Sequence, residues 1–211
     1  QMGLAMQYEE RVQLAESLFD LALAFSPDYA EALGGRAFIR VAEGKNAEAI
    51  KGFEAAISRN PDLREAYAGL GNALAQTGNA TQALETYRTL VALCPDDPDP
   101  IFNLAQLLNN SGDFEASVAA YERYINLKPD DPLGYLRIAF PLEDMGNLQR
   151  AAEAYEFVLR LEPNHINALA NLGHVFEQMN LFDSAMEAYS RALNLNPGFT
   201  QALGGRARIL G

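Results

Sequence analysis

The sequence has little of what most catalytic and metal sites require. It contains one cysteine and two histidines among 211 residues, so no intrachain disulfide can form. His165 and His174 are expected in a turn and on a helix, and their spacing is not one that zinc sites use. Cys94 directly precedes Pro95 at an expected helix end, where a structural role is favoured over a nucleophilic one. With no strand pattern and no glycine-rich phosphate loop, the sequence predicts no catalytic residue, no metal and no cofactor.

Basic residues are also scarce. The chain has 16 Lys and Arg against 28 Asp and Glu, for a net charge of −12. A nucleic acid needs clustered Lys and Arg in its partner, and an anionic membrane surface attracts the same residues, so neither is expected to bind. We favour solubility as the explanation of this charge. No apolar run approaches the ~20 residues of a membrane span, and no signal peptide is visible at the start.

What the sequence does contain is a period of 34 residues, which aligns prolines, small residues and aromatic rings. Small residues in two columns let helices pack closely, and an aromatic column fills the gap between successive helix pairs, where each buried ring contributes about 1.5–3 kcal/mol. Accidental periodicity in an unrelated helical bundle does not explain this agreement. The proline column is Pro27, Pro61, Pro95, Pro129, Pro163 and Pro197; the small columns are those of Gly71 and Ala83; the aromatic column is Phe19, Phe53, Tyr87, Tyr121, Tyr155 and Tyr189.

One copy of the repeat shows how each is built. Residues 64–76 carry apolar side chains at helical spacing and predict a first helix. Gly78 tolerates the left-handed backbone that ends a helix, and Asn180 takes that place in a later copy because asparagine also visits this conformation. Thr81 is the expected cap of the second helix. Pro95 ends the second helix, since proline has no amide proton and clashes with the preceding turn.

The pattern resembles the tetratricopeptide repeat, whose period is 34 residues with small residues in both helices and a proline at the end. The resemblance covers the whole chain. It implies an all-α fold, a right-handed α-solenoid of stacked antiparallel helix pairs, in which each repeat packs only on its neighbours. The repeat frame gives one solenoid over 1–211: a partial repeat at 1–29, full repeats at 30–63, 64–97, 98–131, 132–165 and 166–199, and a terminal helix at 200–211.

Three residues interrupt the expected first helices. Gly34 and Gly35 should weaken the helix of the second repeat by up to about 1 kcal/mol each relative to alanine. Pro141 falls inside the first helix of the fifth repeat, where proline costs roughly 3 kcal/mol and frees the carbonyl of Arg137. It is either a tolerated kink near a helix end or a bend in the wall of a groove.

The two ends of the chain also carry expectations. Gln1 falls in the middle of a first helix, and the exposed side of a terminal repeat is normally capped by polar residues. We therefore expect the chain to be a fragment of a longer protein or to have lost an N-terminal segment. At the other end, the terminal helix is expected to cover the sixth repeat through Leu203, Ala207 and Leu210.

The resemblance also implies a binding surface, because stacked helix pairs curve and the first helices line the concave side. Amide side chains there can bond the backbone of an extended peptide, an arginine can hold a carboxylate with two bonds, and exposed aromatic rings can form pockets. A solvated helix face is the alternative, but three exposed phenylalanines favour binding. The inward positions are Phe38, Asn72, Phe102, Asn103, Gln106, Asn109, Leu136, Arg137, Phe140, Asn171 and His174.

One known ligand pattern of the family fits only in part. Members that hold the C-terminal carboxylate of heat-shock chaperones use two lysines, two asparagines and an arginine. Asn72, Asn103 and Arg137 match the asparagines and the arginine, whereas Ala68 and Leu133 stand at the lysine positions. Because most of the positive charge is missing, we do not expect a chaperone carboxylate as ligand.

Three functions remain after this comparison. The leading hypothesis is a non-enzymatic protein–protein interaction scaffold that binds a segment of a partner polypeptide in the concave groove. The alternative is the substrate-recognition arm of a larger glycosyltransferase- or sulfotransferase-like enzyme; the asparagine ladder of O-GlcNAc transferases is matched at Asn103 and Asn171. It is not matched at Gly35, Gly69, Arg137 and Gly205. The third hypothesis is self-association through the end repeats.

Overall fold

The computed structural model describes residues 2–211, with side chains described from Glu10 onward; Gln1, and with it the expectation attached to that residue, lies outside the described part. Every regular element in residues 2–211 is an α-helix, which confirms the all-α fold class. From α2 onward, first helices of 13 residues alternate with second helices of 14, until α12 ends after 11. The helices are α1 Met2–Phe25, α2 Ala30–Ala42, α3 Asn46–Arg59, α4 Arg64–Gln76, α5 Ala80–Leu93, α6 Pro98–Asn110, α7 Phe114–Leu127, α8 Pro132–Asp144, α9 Leu148–Leu161, α10 Ile166–Gln178, α11 Phe182–Leu195 and α12 Thr200–Leu210.

The chain forms two compact units. Unit 1 extends to Pro100; in it α2 pairs with α3, α4 pairs with α5, and α3 packs on α4. Unit 2 extends from Ile101 to Gly211; in it α8 pairs with α9 and α10 with α11, while α7 packs on α8 and α9 on α10. The last helix, α12, packs on both α10 and α11. Each unit is therefore a stack of helix pairs, in which sequence neighbours are also neighbours in space.

The small and aromatic columns form the core of both units. The rings of the second helices are at most 2 % exposed from Phe53 to Tyr189, and the small residues that face them are fully buried. A Cβ built on Gly71 would lie 2.5 Å from the Tyr87 ring, and one on Gly173 would lie 2.7 Å from the Tyr189 ring. Because Cβ atoms are almost never found this close to another atom, glycine fits the ring at these two positions, and the buried ring limits the rest of the column to small residues. The packing role predicted for both kinds of column is confirmed.

A residue with left-handed backbone follows each first helix from α2 to α10. Glycine takes this conformation at four positions with φ of 74–79°, and Asn180 takes it with φ 60°, as the sequence predicts. The same column holds Glu10, and there α1 continues without a turn for 24 residues. Glutamate disfavours a positive φ, so no residue at this position ends the helix. The segment expected to form a partial repeat therefore contains one long helix.

The predicted cap of α5 is wrong. Asn79 precedes the helix, and Thr81 is already its second residue. Backbone bonds close this turn: the Asn79 amide donates to the Leu74 carbonyl at 2.9 Å, and the Ala83 amide donates to the Asn79 carbonyl at 3.0 Å. Because the backbone of the turn already positions the first helical residue, α5 begins without a side-chain cap.

The two adjacent glycines of α2 have different surroundings. A Cβ on Gly34 would meet nothing closer than 3.7 Å, whereas a Cβ on Gly35 would lie 2.3 Å from Cζ of Phe19. Gly69 faces the Phe53 ring in the same way, also at 2.3 Å. The column of Gly35 thus receives the ring of the preceding second helix, and its glycines are required by packing. Gly34 has no such packing role, so glycine at this position only lowers the helix propensity.

Pro141 and the terminal helix α12 refine the sequence expectations. Helix α8 runs through Pro141 to Asp144, and Pro141 is buried, so its ring belongs to the core of unit 2.

In α12, Leu203 and Leu210 are 48 % and 71 % exposed and Ala207 is also exposed, so their predicted contact with the sixth repeat is wrong. Ala202 and Ile209 contact that core instead. One repeat earlier, the equivalent Leu169 is covered by its own second helix, α11, whereas no second helix lies beside Leu203 among the described residues.

Candidate peptide-binding surface

Most of the predicted ligand-contacting residues lie on α6, α8 and α10, the first helices of unit 2, and together they define a predicted surface. We call it the first-helix surface. All of its predicted members are half-buried. Phe38 and Asn72 are exposed on α2 and α4 of unit 1. The half-buried members in unit 2 are Phe102, Asn103, Gln106, Asn109, Leu136, Arg137, Phe140, Asn171 and His174.

Amide and guanidinium groups occupy equivalent positions on these three helices. Asn103, Arg137 and Asn171 stand at the 34-residue interval on α6, α8 and α10. The Asn171 Oδ1 atom accepts a hydrogen bond from Gln201 Nε2 at 2.8 Å, and the Asn171 side chain is close enough to Tyr155 to oppose the rise in the pKa of its hydroxyl. This column therefore continues the ring-facing position that holds glycine in α2 and α4, with polar side chains in place of the glycines.

Two polar atoms of this surface are buried without a partner. Arg137 Nε and Asn109 Oδ1 have no hydrogen bond to any residue of the described chain. Burial raises the pKa of Tyr121 to about 12, and the nearby Arg137 charge opposes that rise. Buried donors and acceptors are normally paired, and leaving one unpaired costs about 1–3 kcal/mol. Both residues are half-buried as a whole, so the exposed parts of their amide and guanidinium groups can contact a ligand.

Two of the three predicted surface phenylalanines are less exposed to solvent than the sequence predicts. Phe102 meets the Tyr121 ring edge-on at a centroid distance of 5.6 Å, and Phe140 meets Tyr155 in the same way at 6.4 Å. Both are half-buried, so the prediction that they are exposed is wrong; Phe38, at 44 % exposed, does fit it. Each first-helix ring packs on the aromatic ring of its own second helix, which removes much of its surface from solvent.

Two carboxylates that the sequence analysis missed lie on α8 and α10. The Tyr155 hydroxyl donates to Glu143 Oε1 at 2.6 Å, and the Tyr189 hydroxyl donates to Glu177 Oε2 at 2.8 Å. Each glutamate stands 12 residues before its tyrosine, in the column that also holds Asn109. A hydrogen-bonding residue at this fixed offset from the tyrosine column is a signal that the sequence contains.

The two glutamates differ in their electrostatic environment. Burial raises the pKa of Glu143, while the Tyr155 hydrogen bond and the nearby His174 oppose the rise. The pKa of Glu177 is lowered, chiefly by its hydrogen bonds from Arg208, which donates through Nε and Nη2 at 2.7 and 2.8 Å. Burial also raises the pKa values of Tyr155 and Tyr189 well above the ordinary range.

The two histidines and the cysteine each bond to a residue of their own helix or helix end, and they are not grouped together. His165 Nδ1 accepts from the Ala168 amide at 3.1 Å and caps α10, whereas the His174 ring bonds the Gln178 side chain at 2.8 Å. Cys94 Sγ bonds the Leu90 carbonyl at 2.9 Å, and burial raises the pKa of its thiol.

Within the described residues, no three His, Cys, Asp or Glu side chains are grouped to hold a metal ion. The helices of that part also include none with the length and apolarity of a membrane span.

A second surface of unit 2, formed mainly by α7, α9 and α11, contains two clefts at equivalent positions of successive repeats. We call it the second-helix surface. Its clefts have volumes of about 770 and 490 Å³. In the smaller one, the Tyr135 and Phe157 rings stack at 3.8 Å and the Arg160 guanidinium lies 4.6 Å from the Phe157 centroid. Asn126 borders the smaller cleft and Arg191 the larger.

Stacked helix pairs with a polar first-helix surface define a helical repeat protein. One model of the tetratricopeptide repeat matches residues 35–98, and a second matches 74–136 and 142–209. The chain belongs to the tetratricopeptide repeat family. No curated protein matches it in sequence.

Solved structures support the same fold. The structure of YrrB, a TPR protein described as having an unusual peptide-binding site, superposes with a TM-score of 0.80 at 18 % identity over 90 % of this chain and 97 % of that one. A structure of MamA gives 0.76 at 21 % identity, covering 81 % and 93 %. PilF of Pseudomonas aeruginosa gives 0.74 at 17 %, covering 99 % and 95 %. At these identities the similarity establishes the fold alone.

Proposed function

We propose that the chain is a protein–protein interaction scaffold and that it holds a segment of another polypeptide on the first-helix surface of unit 2. The segment lies across Asn103, Arg137 and Asn171, and the proposal assigns binding without a chemical step. The observation that carries it is the column of half-buried polar side chains at the 34-residue interval, Asn103, Arg137 and Asn171. A donor and an acceptor on neighbouring first helices match the carbonyl and amide groups that a polypeptide main chain presents.

The chemistry of the surface supports an extended segment. Amide or guanidinium side chains recur at one position of three successive repeats, so successive peptide groups of a ligand can be bonded without demanding a particular sequence. Arg137 can also donate two bonds to a ligand carboxylate or carbonyl. Half-buried rings such as Phe102 and Phe140 supply apolar contact area beside these polar groups. A peptide-binding site described for YrrB, which shares the fold, further favours a polypeptide as the ligand.

The test is capture from a source lysate by the immobilised chain, with three proteins side by side. These are the wild type, the Asn103→Ala/Arg137→Ala variant, and the control Asn126→Ala/Arg191→Ala. The control removes the same residue types from exposed positions of the second-helix surface. We expect a partner that the wild type and the control retain and that the first-helix variant loses. Both variants should unfold within about 0.5–1 kcal/mol of the wild type, because neither removes a core residue.

The alternative outcomes assign the site elsewhere. A partner retained equally by the wild type and the Asn103→Ala/Arg137→Ala variant would contradict the placement on the first-helix surface. A partner lost only by the control would move the site to the clefts of the second-helix surface.

A further inference from the structure

Glu143 and Glu177 occupy equivalent positions of successive repeats, but among the described residues only Glu177 has a cationic partner. Arg208 binds the Glu177 carboxylate with two hydrogen bonds, at 2.7 and 2.8 Å, and the Tyr189 hydroxyl supplies a third. Glu143 has the equivalent tyrosine bond, from Tyr155 at 2.6 Å. It forms no ion pair with any residue of the described chain.

The repeat pattern explains why Glu143 has no arginine partner like that of Glu177. The residue one repeat before Arg208 is His174, so a histidine stands where an arginine would reach Glu143. The His174 ring instead bonds Gln178 at 2.8 Å, with its Nε2 atom as the contact. His174 is close enough to lower the pKa of Glu143, but desolvation by burial remains the larger effect and raises it. Asp144 is the other charged group near this carboxyl, and it also raises that pKa.

We propose that Glu143 is the recognition point for a lysine or arginine side chain of the bound polypeptide. This inference rests on the proposed function, because it assigns one contact of the same surface. The Glu177–Arg208 pair shows within this molecule that a guanidinium fits the equivalent carboxylate together with a tyrosine hydroxyl. A carboxylate that is partly desolvated and lacks a counter-ion favours a cation strongly, since pairing restores the stabilisation that burial removed.

The surroundings of Glu143 fit a long basic side chain. Phe140 lies one turn earlier on α8, and its ring meets Tyr155 edge-on, so an aromatic ring borders the carboxylate. Aromatic rings attract guanidinium and ammonium groups and also contact their aliphatic stems. The net charge of −12 favours the approach of a basic segment over an acidic one. Arg137 stands in a different column of α8, where it can bond main-chain carbonyls of the same segment.

The test uses a displayed library of random 12-residue peptides, selected on the immobilised full chain. The strongest wild-type binder is then measured against Glu143→Gln and against the control Glu187→Gln, which removes an exposed carboxylate from the second-helix surface. Glutamine keeps an oxygen that accepts the Tyr155 hydrogen bond, so thermal unfolding should report a folded protein. We expect selected peptides to share a Lys or Arg, affinity for Glu143→Gln to fall at least about tenfold, and the control to bind within about twofold.

A double-mutant cycle then identifies the contact. Replacing the basic residue of the peptide by glutamine should weaken binding to the wild type about as much as Glu143→Gln does, and it should have little further effect on that variant. Independent effects would overturn the inference.

The remaining outcomes separate this inference from the proposed function. Peptides that bind Glu143→Gln as well as the wild type, yet are lost by Asn103→Ala/Arg137→Ala, would overturn the Glu143 contact and leave the first-helix surface in place. Peptides indifferent to all of these substitutions, or a library that yields no binder, would contradict both proposals.

Discussion

At the scale of single residues, adjacent glycines in α2 are expected to respond in opposite directions to alanine. Gly34→Ala should raise the free energy of unfolding by about 0.5–1 kcal/mol, because the new methyl group has room and helix propensity improves. Gly35→Ala should lower it, because the methyl group would lie 2.3 Å from the Phe19 ring. Chemical denaturation of both variants checks this, each being the control for the other. Changes of the same sign would show that the Phe19 ring does not occupy that site.

The two tyrosine-bonded glutamates should give opposite pH dependences of stability. A raised pKa means that the folded chain holds the Glu143 proton more tightly than the unfolded chain, so ionisation destabilises the fold. This destabilisation is absent below the ordinary value of 4.5 and develops as pH rises from there through the raised pKa. Glu143→Gln should therefore match the wild type in acid and become more stable than the wild type toward neutral pH.

For Glu177 the sign is reversed. Its pKa is lowered, so its ion pair with Arg208 contributes stability above the ordinary value of 4.5, and this contribution is lost as pH falls through the lowered pKa. Glu177→Gln should be less stable than the wild type at neutral pH and approach it in acid. Thermal unfolding of both variants between about pH 3 and 8 measures the two differences. Parallel curves for the two variants would refute the assignment of different environments.

The sequence predicts the packed residues of each repeat better than it predicts the hydrogen-bond partners of the tyrosines. The columns of Gly71 and Tyr87 could be predicted because steric packing repeats at every copy and leaves a periodic pattern. The partner of each tyrosine hydroxyl varies along the chain: Asn72 for Tyr87, Glu143 for Tyr155. Glu143 and Glu177 share an offset of 12 residues from their tyrosines, whereas Asn72 stands 15 residues before Tyr87, so the tyrosine column alone does not predict the partner.

At the scale of helices and turns, the left-handed position after each first helix decides where the helix ends. Gly146→Ala should destabilise the chain by about 1–2 kcal/mol, since an L-residue is unfavourable at φ 74°. Asn180→Gly should stabilise it slightly, because glycine adopts φ 60° without strain. Gly204→Ala serves as control, since the nearest atom to its Cβ would be Arg208 Nη1 at 3.7 Å. A Gly146→Ala variant as stable as the wild type would contradict the role assigned to this turn.

Helix positions were predictable for the same reason as the turns, and the exceptions have local causes. Glu10 stands where the later copies have glycine, and α1 continues through it. Thr81 looks like a cap in sequence, but the backbone of the Gly78–Asn79 turn starts the helix first. Leu203 looks like a core residue by its column, yet a first helix buries that side only against its own second helix. In each case the outcome depends on a neighbour that local sequence does not display.

At the scale of the whole molecule, the charge of the chain and the proposed ligand should make binding sensitive to salt. A basic segment attracted by a chain of net charge −12 associates faster at low ionic strength, since exposed charges are screened within about 10 Å at 0.1 M salt. Affinity for a selected basic peptide should therefore fall as salt increases from about 0.05 to 0.3 M, mainly through a slower association rate. Surface plasmon resonance across this range measures it. An association rate independent of salt would argue against a basic ligand.

Periodicity predicts the all-α repeat fold because stacking of identical units constrains every copy in the same way. The binding surface could be placed only as a set of helix positions. Asn103 and Arg137 could be located by helical spacing, whereas the burial of Phe102, the unpaired Arg137 Nε and the cation-free Glu143 depend on contacts between successive helices.

Site-specific photo-crosslinking would test the binding surface most directly. A benzophenone amino acid is placed at His174 on the first-helix surface and, in a second protein, at Arg191 on the second-helix surface. Both proteins are irradiated in source lysate, and the crosslinked peptides are identified by mass spectrometry. We predict that position 174 crosslinks one segment of a partner polypeptide and that addition of a selected library peptide suppresses the crosslink, while position 191 gives no such product. A competed crosslink from position 191 with none from 174 would contradict the account.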